Sequence, residues 1–217
     1  MFETGPVHHT SKGRRRLSAC LPEGFRGPIT ERLFIAVGLP SDVGAALEET
    51  ARRLAPYWPS GVVRWTTAGN QHLTLRFLGD TRPEQVAKLK VVMDEVVAGQ
   101  PPFELHLDGT GAFPPTGPAR VLWAGLRSDD GRRALTALQQ RLEGRVRDLG
   151  CAAESRPYRP HLTLGRVRRG APPSSGEWQR HAPKPMVIPV DEILLMRSEL
   201  HKTGARHTTL HTACLVA

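Results

Sequence analysis

The stretch "QHLTLRFLGD", residues 71–80, reads as a strand, and "PHLTLGR" at 160–166 repeats its centre letter for letter. Alternation along an extended chain sends His72, Thr74 and Arg76 to one face and Leu73, Leu75 and Phe77 to the other. A polar row opposite an apolar one is the pattern of a strand with one face on a core and one face open. The repeat lies 89 residues downstream, so that His72 maps onto His161 and Thr74 onto Thr163. The same shift carries the strand-like "RLFIAV" at 32–37 onto "VLWAGL" at 121–126, and Phe34 and Trp123 each precede their histidine by 38 residues.

Between strand and histidine strand, each half holds a helical segment. "SDVGAALEETARRLA" begins at 41, with Ser41 as its expected N-cap, and "SDDGRRALTALQQRLEGRV" begins at 128. "TRPEQVAKLKVVMDEVVAG" after the first histidine strand is a further amphipathic helix, with Val86, Leu89, Met93 and Val96 on one stripe. "FELHLDGTGAF" at 103–113 alternates as a strand, residues 186–200 supply more strand material, and "HTTLHTACLVA" a last strand. "RRGAPPSSGEW" at 168–178 is a loop by composition. The expected fold is α+β, with two pseudo-symmetric lobes. Each lobe is an antiparallel sheet with helices on its outer face, and the HxTL strands face a central cleft. Residues 1–31, with "HH" and "GRRR" and no periodicity, read as a disordered basic extension, and the bilobal domain spans 32–217, its repeats starting near 32 and 121.

Bulk properties narrow the function. Lys and Arg outnumber Asp and Glu by 30 to 21, a formal charge of +9, which suits an anionic partner such as nucleic acid. Only 5 of the 30 cations are lysines and the basic residues are dispersed, so codon usage accounts for the excess equally well. Cys20, Cys151 and Cys214 are far apart with no metal or redox spacing, which points to reduced thiols and a cytoplasmic protein. There is neither a membrane-length apolar run nor the apolar core of a signal peptide.

A single HxT is weak, because a lone strand histidine is usually structural. Two copies with the same flanks in the same register reverse that expectation. Imidazole titrates near pH 6.5, so of two facing imidazoles one can serve as base and the other as acid. Thr74 and Thr163 add hydroxyl donors for an oxyanion between the strands, which suits in-line displacement at phosphorus. No GxSxG elbow, no cysteine near either motif, no second ligand at metal spacing and no glycine-rich phosphate cradle is present. The expected chemistry is therefore metal-independent, with no cofactor.

Paired H-x-T-L motifs, "RLFIAV" opening the first half and "RPHLTLGR" in the second resemble the two-histidine phosphoesterases. Within them the chain is most similar to the RNA 2',3'-cyclic phosphodiesterases, also called 2'-5' RNA ligases, over about residues 32–215. The resemblance implies hydrolysis of an RNA 2',3'-cyclic phosphate end to a 2'-phosphomonoester. It makes His72 and His161 catalytic and Thr74 and Thr163 phosphate ligands, and it matches the family's trailing arginine to Arg166. Arg166 has the wrong parity for the cleft unless the strand ends or twists at Gly165. Arg76 has the right parity and is a second phosphate candidate. Phe34 either stacks a nucleobase, as the family's aromatic does, or is a core residue; Trp123 is expected to pack. Toward the C-terminus Ser198, Leu200 and Gly204 match, but His207 stands where the family has tyrosine. His72 is expected as the acid and His161 as the base. The expected partner is RNA or an oligonucleotide, with no membrane, and the chain is expected to be a monomer. The alternatives are a 2'-5' RNA ligase acting on tRNA halves and a non-catalytic RNA- or nucleotide-binding module.

Overall fold

A computed structural model describes residues 30–168, 176–201 and 204–217. Residues 1–29 of the expected N-terminal extension and most of the Pro/Gly/Ser loop lie outside the described residues, while Glu31, expected to end the extension, is the first residue of a strand. In chain order the strands are β1 (Glu31–Val37), β2 (Val63–Trp65), β3 (Leu73–Thr81), β4 (Phe103–Phe113), β5 (Val121–Leu126), β6 (Leu162–Val167), β7 (Val187–Val190), β8 (Glu192–His201) and β9 (Gly204–Cys214). The helices are α1 (Ser41–Leu54), α2 (Pro83–Val97) and α3 (Asp130–Asp148).

The helices form where the sequence provides apolar stripes and starts. Asp129 caps α3 by accepting the Arg132 amide at 3.0 Å, and Pro83 opens α2 with its φ already helical. Ser41 is not a cap: it is the first helical residue of α1, preceded by Pro40, which has no side-chain acceptor to offer. Leu47 and Leu54 of α1, Leu89 and Met93 of α2, and Leu135, Leu138 and Leu142 of α3 join one cluster with Leu73, Leu75, Leu162 and Leu164. The leucines of both HLTL repeats therefore form the floor on which the polar face rests. Each fully buried leucine contributes about 1.5–3 kcal/mol by leaving water.

All strand pairs are antiparallel, in the order β7-β4-β5-β6-β3-β1-β8-β9, with β2 added alongside β6. β3 and β6, the two histidine strands, are neighbours at the centre, joined by the single pair Leu73–Leu162. The halves are thus continuous through one sheet. They also exchange strands: β4 follows β3 in the chain but pairs with β5, and β8, which follows β7 in the second half, pairs with β1. Each side of the centre is built from both halves of the sequence, so neither repeat completes its own sheet.

Candidate active site

The central register assembles the site. With Leu73 opposite Leu162 and both turned into the core, the flanking residues turn the other way. Antiparallel counting sets His72 alongside Thr163 and Thr74 alongside His161. This register places each histidine across the two strands from the other repeat's threonine.

The two imidazoles are mounted identically. Nδ1 of His72 lies 2.9 Å from the carbonyl oxygen of Asn70, and Nδ1 of His161 lies 2.7 Å from that of Arg159. A carbonyl only accepts, so each Nδ1 carries hydrogen and donates, leaving the Nε2 lone pair available to accept a proton. Burial pushes His72 down to about 4, assisted by His207, Arg166 and His161 nearby. His161 is also lowered, by burial and then by Arg166. Both rings are therefore neutral at pH 7 in the unliganded site. An anion bound between them favours the imidazolium form and returns a proton to one of them.

Arg166 reaches this space through a β-bulge. Leu122 pairs with Gly165 and Trp123 with Thr163, so β6 advances two residues where β5 advances one, Leu164 is left without a partner on β5, and the alternation slips by one. Gly165 is required there: a Cβ would sit 2.7 Å from Val63 and 2.9 Å from Trp65 of β2. The first repeat bulges at the equivalent place, where Ile35 pairs with Arg76 and Ala36 with Thr74, skipping Leu75. That bulge overturns the strict alternation that placed Arg76 in the cleft. Arg76 is only 7% exposed; its Nε lies 2.6 Å from Glu143, and it donates to the carbonyls of Phe77 and Ala152. It is a buried clamp on the segment after α3.

Phe77 takes the cleft position and is 56% exposed. Phe34, which pairs with it, is 2% exposed, with its ring 4.7 Å from His72 and 5.1 Å from His207. Phe34 therefore supports His72 from below, and its covered ring leaves no face for a base. Pairing also corrects its repeat partner. Phe34 opposes Phe77 as Val121 opposes Arg166, while Trp123 and Ala36 both oppose threonines. The β1-to-β5 shift is thus two residues shorter than the shift between the histidines.

His207 on β9 is a third imidazole in the site, 5.3 Å from His72 in an edge-on contact. Its Nδ1 is buried with no hydrogen-bond partner among the described residues. Burial lowers its pKa as well. Tyr158 donates its hydroxyl to the carbonyl of Thr74 at 3.2 Å and ties the approach to His161 onto β3. Sequence reading missed Phe77 and Tyr158; the 89-residue shift that maps Arg166 onto Phe77 was the available signal for the first. Among the described residues no three His, Cys, Asp or Glu side chains are grouped as a cation site.

Comparison with known proteins gives one consistent set. The model of the 2'-5' RNA ligase superfamily matches residues 36–202. An RNA 2',3'-cyclic phosphodiesterase of Geobacillus stearothermophilus is 33% identical over 176 residues, covering 81% of this chain and 54% of that protein. The chain thus spans about half of that relative's length. The Escherichia coli protein of the same name is 31% identical over 183 residues, covering 83% of this chain and 94% of its own. Among solved structures, E. coli LigT complexed with 3'-AMP superposes with a TM-score of 0.68 at 30% identity, over 87% of this chain and all of that one. A Thermus thermophilus structure gives 0.69 at 30% identity, over 85% and 97%.

Proposed function

Because the chain belongs to the 2'-5' RNA ligase superfamily, we propose that it is an RNA 2',3'-cyclic phosphodiesterase. It opens a cyclic end to a 2'-phosphomonoester by general acid–base catalysis. The observation that carries the reading is the matched mounting of His72 and His161, each with Nδ1 donating to the carbonyl two residues back. Two reactive Nε2 atoms, each on a ring anchored to a backbone carbonyl, are what in-line substitution needs on opposite sides of phosphorus.

Nε2 of His161 removes a proton from water as its oxygen bonds to phosphorus. The bond from phosphorus to the ribose 3'-oxygen breaks, and that oxygen takes the proton from Nε2 of His72. The substrate's own negative charge restores the His72 imidazolium that burial otherwise suppresses. Thr74 and Thr163 donate to the non-bridging oxygens, and Arg166 offsets the charge that grows on them in the transition state. Every group that moves a proton belongs to the chain, so turnover is expected without metal or cofactor.

The cleft is complete within one chain, which supports a monomer. Cys151 and Cys214 are free thiols, which supports a reducing, cytoplasmic setting. Among the described residues no helix is long and apolar enough to cross a membrane.

The test is incubation with EDTA and an oligoribonucleotide ending in a 2',3'-cyclic phosphate, followed by assignment of the product's phosphate. A 2'-phosphate is the expected product. A 3'-phosphate overturns the leaving-group assignment, and no product overturns the hydrolase reading in favour of a binding module.

A further inference from the structure

Beside His161 the sheet opens into a cavity of about 500 Å³ that the chemistry above does not use. Its volume lies within the range of small-molecule pockets, roughly 300–1,000 Å³. Trp123, Phe113 and Leu126 supply apolar wall, Arg132 and Arg159 supply positive charge that outnumbers the one carboxylate, Asp108, and His161 forms the end nearest the reacting phosphorus. Phe113 packs between the other two rings, 5.4 Å from Trp123 and 4.9 Å from His161.

The cavity is built rather than incidental. The Trp123 indole lies down over β4 only because Gly111 faces it, where a Cβ would come within 2.2 Å of the ring. Gly125, on its other side, has no room for a side chain, with the Asp108 carbonyl oxygen 2.6 Å from where its Cβ would be. Two residues without side chains thus let a large aromatic surface border the space in place of filling it.

We propose that this cavity binds the nucleoside immediately 5' to the cyclic-phosphate terminus, so that the substrate is an oligonucleotide end in preference to a free cyclic mononucleotide. The proposal rests on the phosphodiesterase reading and deepens it. The 2'- and 3'-oxygens of the terminal ribose are both tied to the reacting phosphorus, so the substrate extends only through its base and its 5'-oxygen. Two aromatic surfaces flank the histidine pair to receive those extensions: exposed Phe77 on the β3 side and the Trp123 cavity on the β6 side. A base stacks on an aromatic face whatever its identity. Exposed Arg159 offers a cation to the phosphodiester that joins the two nucleosides, as the +9 charge favours for a polyanion.

The experiment compares kcat/KM for a 2',3'-cyclic mononucleotide with that for the dinucleotide carrying the same terminal residue. The wild-type ratio is expected to favour the dinucleotide by about tenfold or more. The ratio should collapse toward one in Trp123→Leu and fall severalfold in Arg159→Glu. The second variant alters an exposed side chain, so a folding failure of the first leaves the test intact. An unchanged ratio in the variants, or equal loss on both substrates, overturns the assignment; equal loss means the cavity holds the terminal base. If neither compound is hydrolysed by the folded wild-type protein, the phosphodiesterase reading falls and the subsite with it. If both are hydrolysed with equal kcat/KM, only the subsite falls.

Discussion

Phe77 and Arg166 occupy the same place in the two repeats: each lies two residues past the unpaired leucine of a β-bulge, Leu75 or Leu164, and each is carried by it onto the face of its histidine. One repeat uses the place for an aromatic surface and the other for a cation. In the proposed mechanism the duplicated strands therefore supply like groups for moving protons and unlike groups for holding the substrate.

Phe77→Ala is expected to raise KM about tenfold with little change in kcat, since base stacking on an aromatic ring is worth roughly 1–3 kcal/mol and is made before the chemical step. Steady-state kinetics on a cyclic-phosphate oligonucleotide measures the split. A matching fall in kcat would mean that the ring acts on the reacting atoms.

Replacing either histidine by alanine should lower kcat by about 10²–10⁴. The acid is identified by its leaving group. A 3'-thio cyclic substrate departs as a thiolate and needs no proton, so it should restore turnover to His72→Ala and not to His161→Ala. Rescue of His161→Ala instead would exchange the two roles.

The pH profile of kcat/KM should peak below pH 6.5, because the free enzyme holds both imidazoles below their usual range. His207 is among the causes at His72, so His207→Phe removes a neighbouring positive charge and should move one limb of the profile upward. An unmoved profile would remove His207 from the electrostatics of the site.

His72 titrates near 6.5 when unfolded and at about 4 in the folded chain. Between those values the unfolded state binds more protons. The stability associated with neutral His72 is therefore complete above pH 6.5 and is lost as pH falls toward 4, by on the order of 3 kcal/mol. Denaturant melts at pH 7 and pH 4.5 should show His72→Gln losing less stability on acidification than the wild type does.

Arg76→Met leaves the partly buried Glu143 without its cation and should cost about 3 kcal/mol, since a broken pair strands a charge that water reaches only in part. It also releases the clamp on Ala152, so hydrogen exchange over residues 150–160 should quicken. Unchanged melting would mean that the carboxylates rearrange into water without loss.

The strands and helices that carry strong periodicity were legible from the residues alone: β4 and β5 begin and end where the alternation does, and the stripe through Leu89 and Met93 is the buried face of α2. The paired motif likewise pointed to both imidazoles, which the fold brings within electrostatic reach of each other. Strict alternation failed at Arg76 and Phe77 because a bulge is a property of two strands pairing, and a single strand's letters do not record it. Phe34 was half legible, since its parity is right but the covering rings of His72 and His207 come from distant segments. The exchange of β4 and β8 between halves was hidden for the same reason: local patterns say that a strand forms and leave its neighbour open. β2, with three residues, offers too short a pattern to register.

The matched carbonyl mounting of His72 and His161 has a consequence for the direction of reaction. Among the described residues each ring is backed by a backbone carbonyl and not by a carboxylate that would make it permanently the stronger base, so in the proposed reaction proton donor and acceptor can trade places from one half of the cycle to the other. Microscopic reversibility then runs over the same atoms when a ribose hydroxyl stands where water stood. Whether such a site severs a phosphodiester or seals one is decided by mass action, through the concentrations of water and of RNA ends around it.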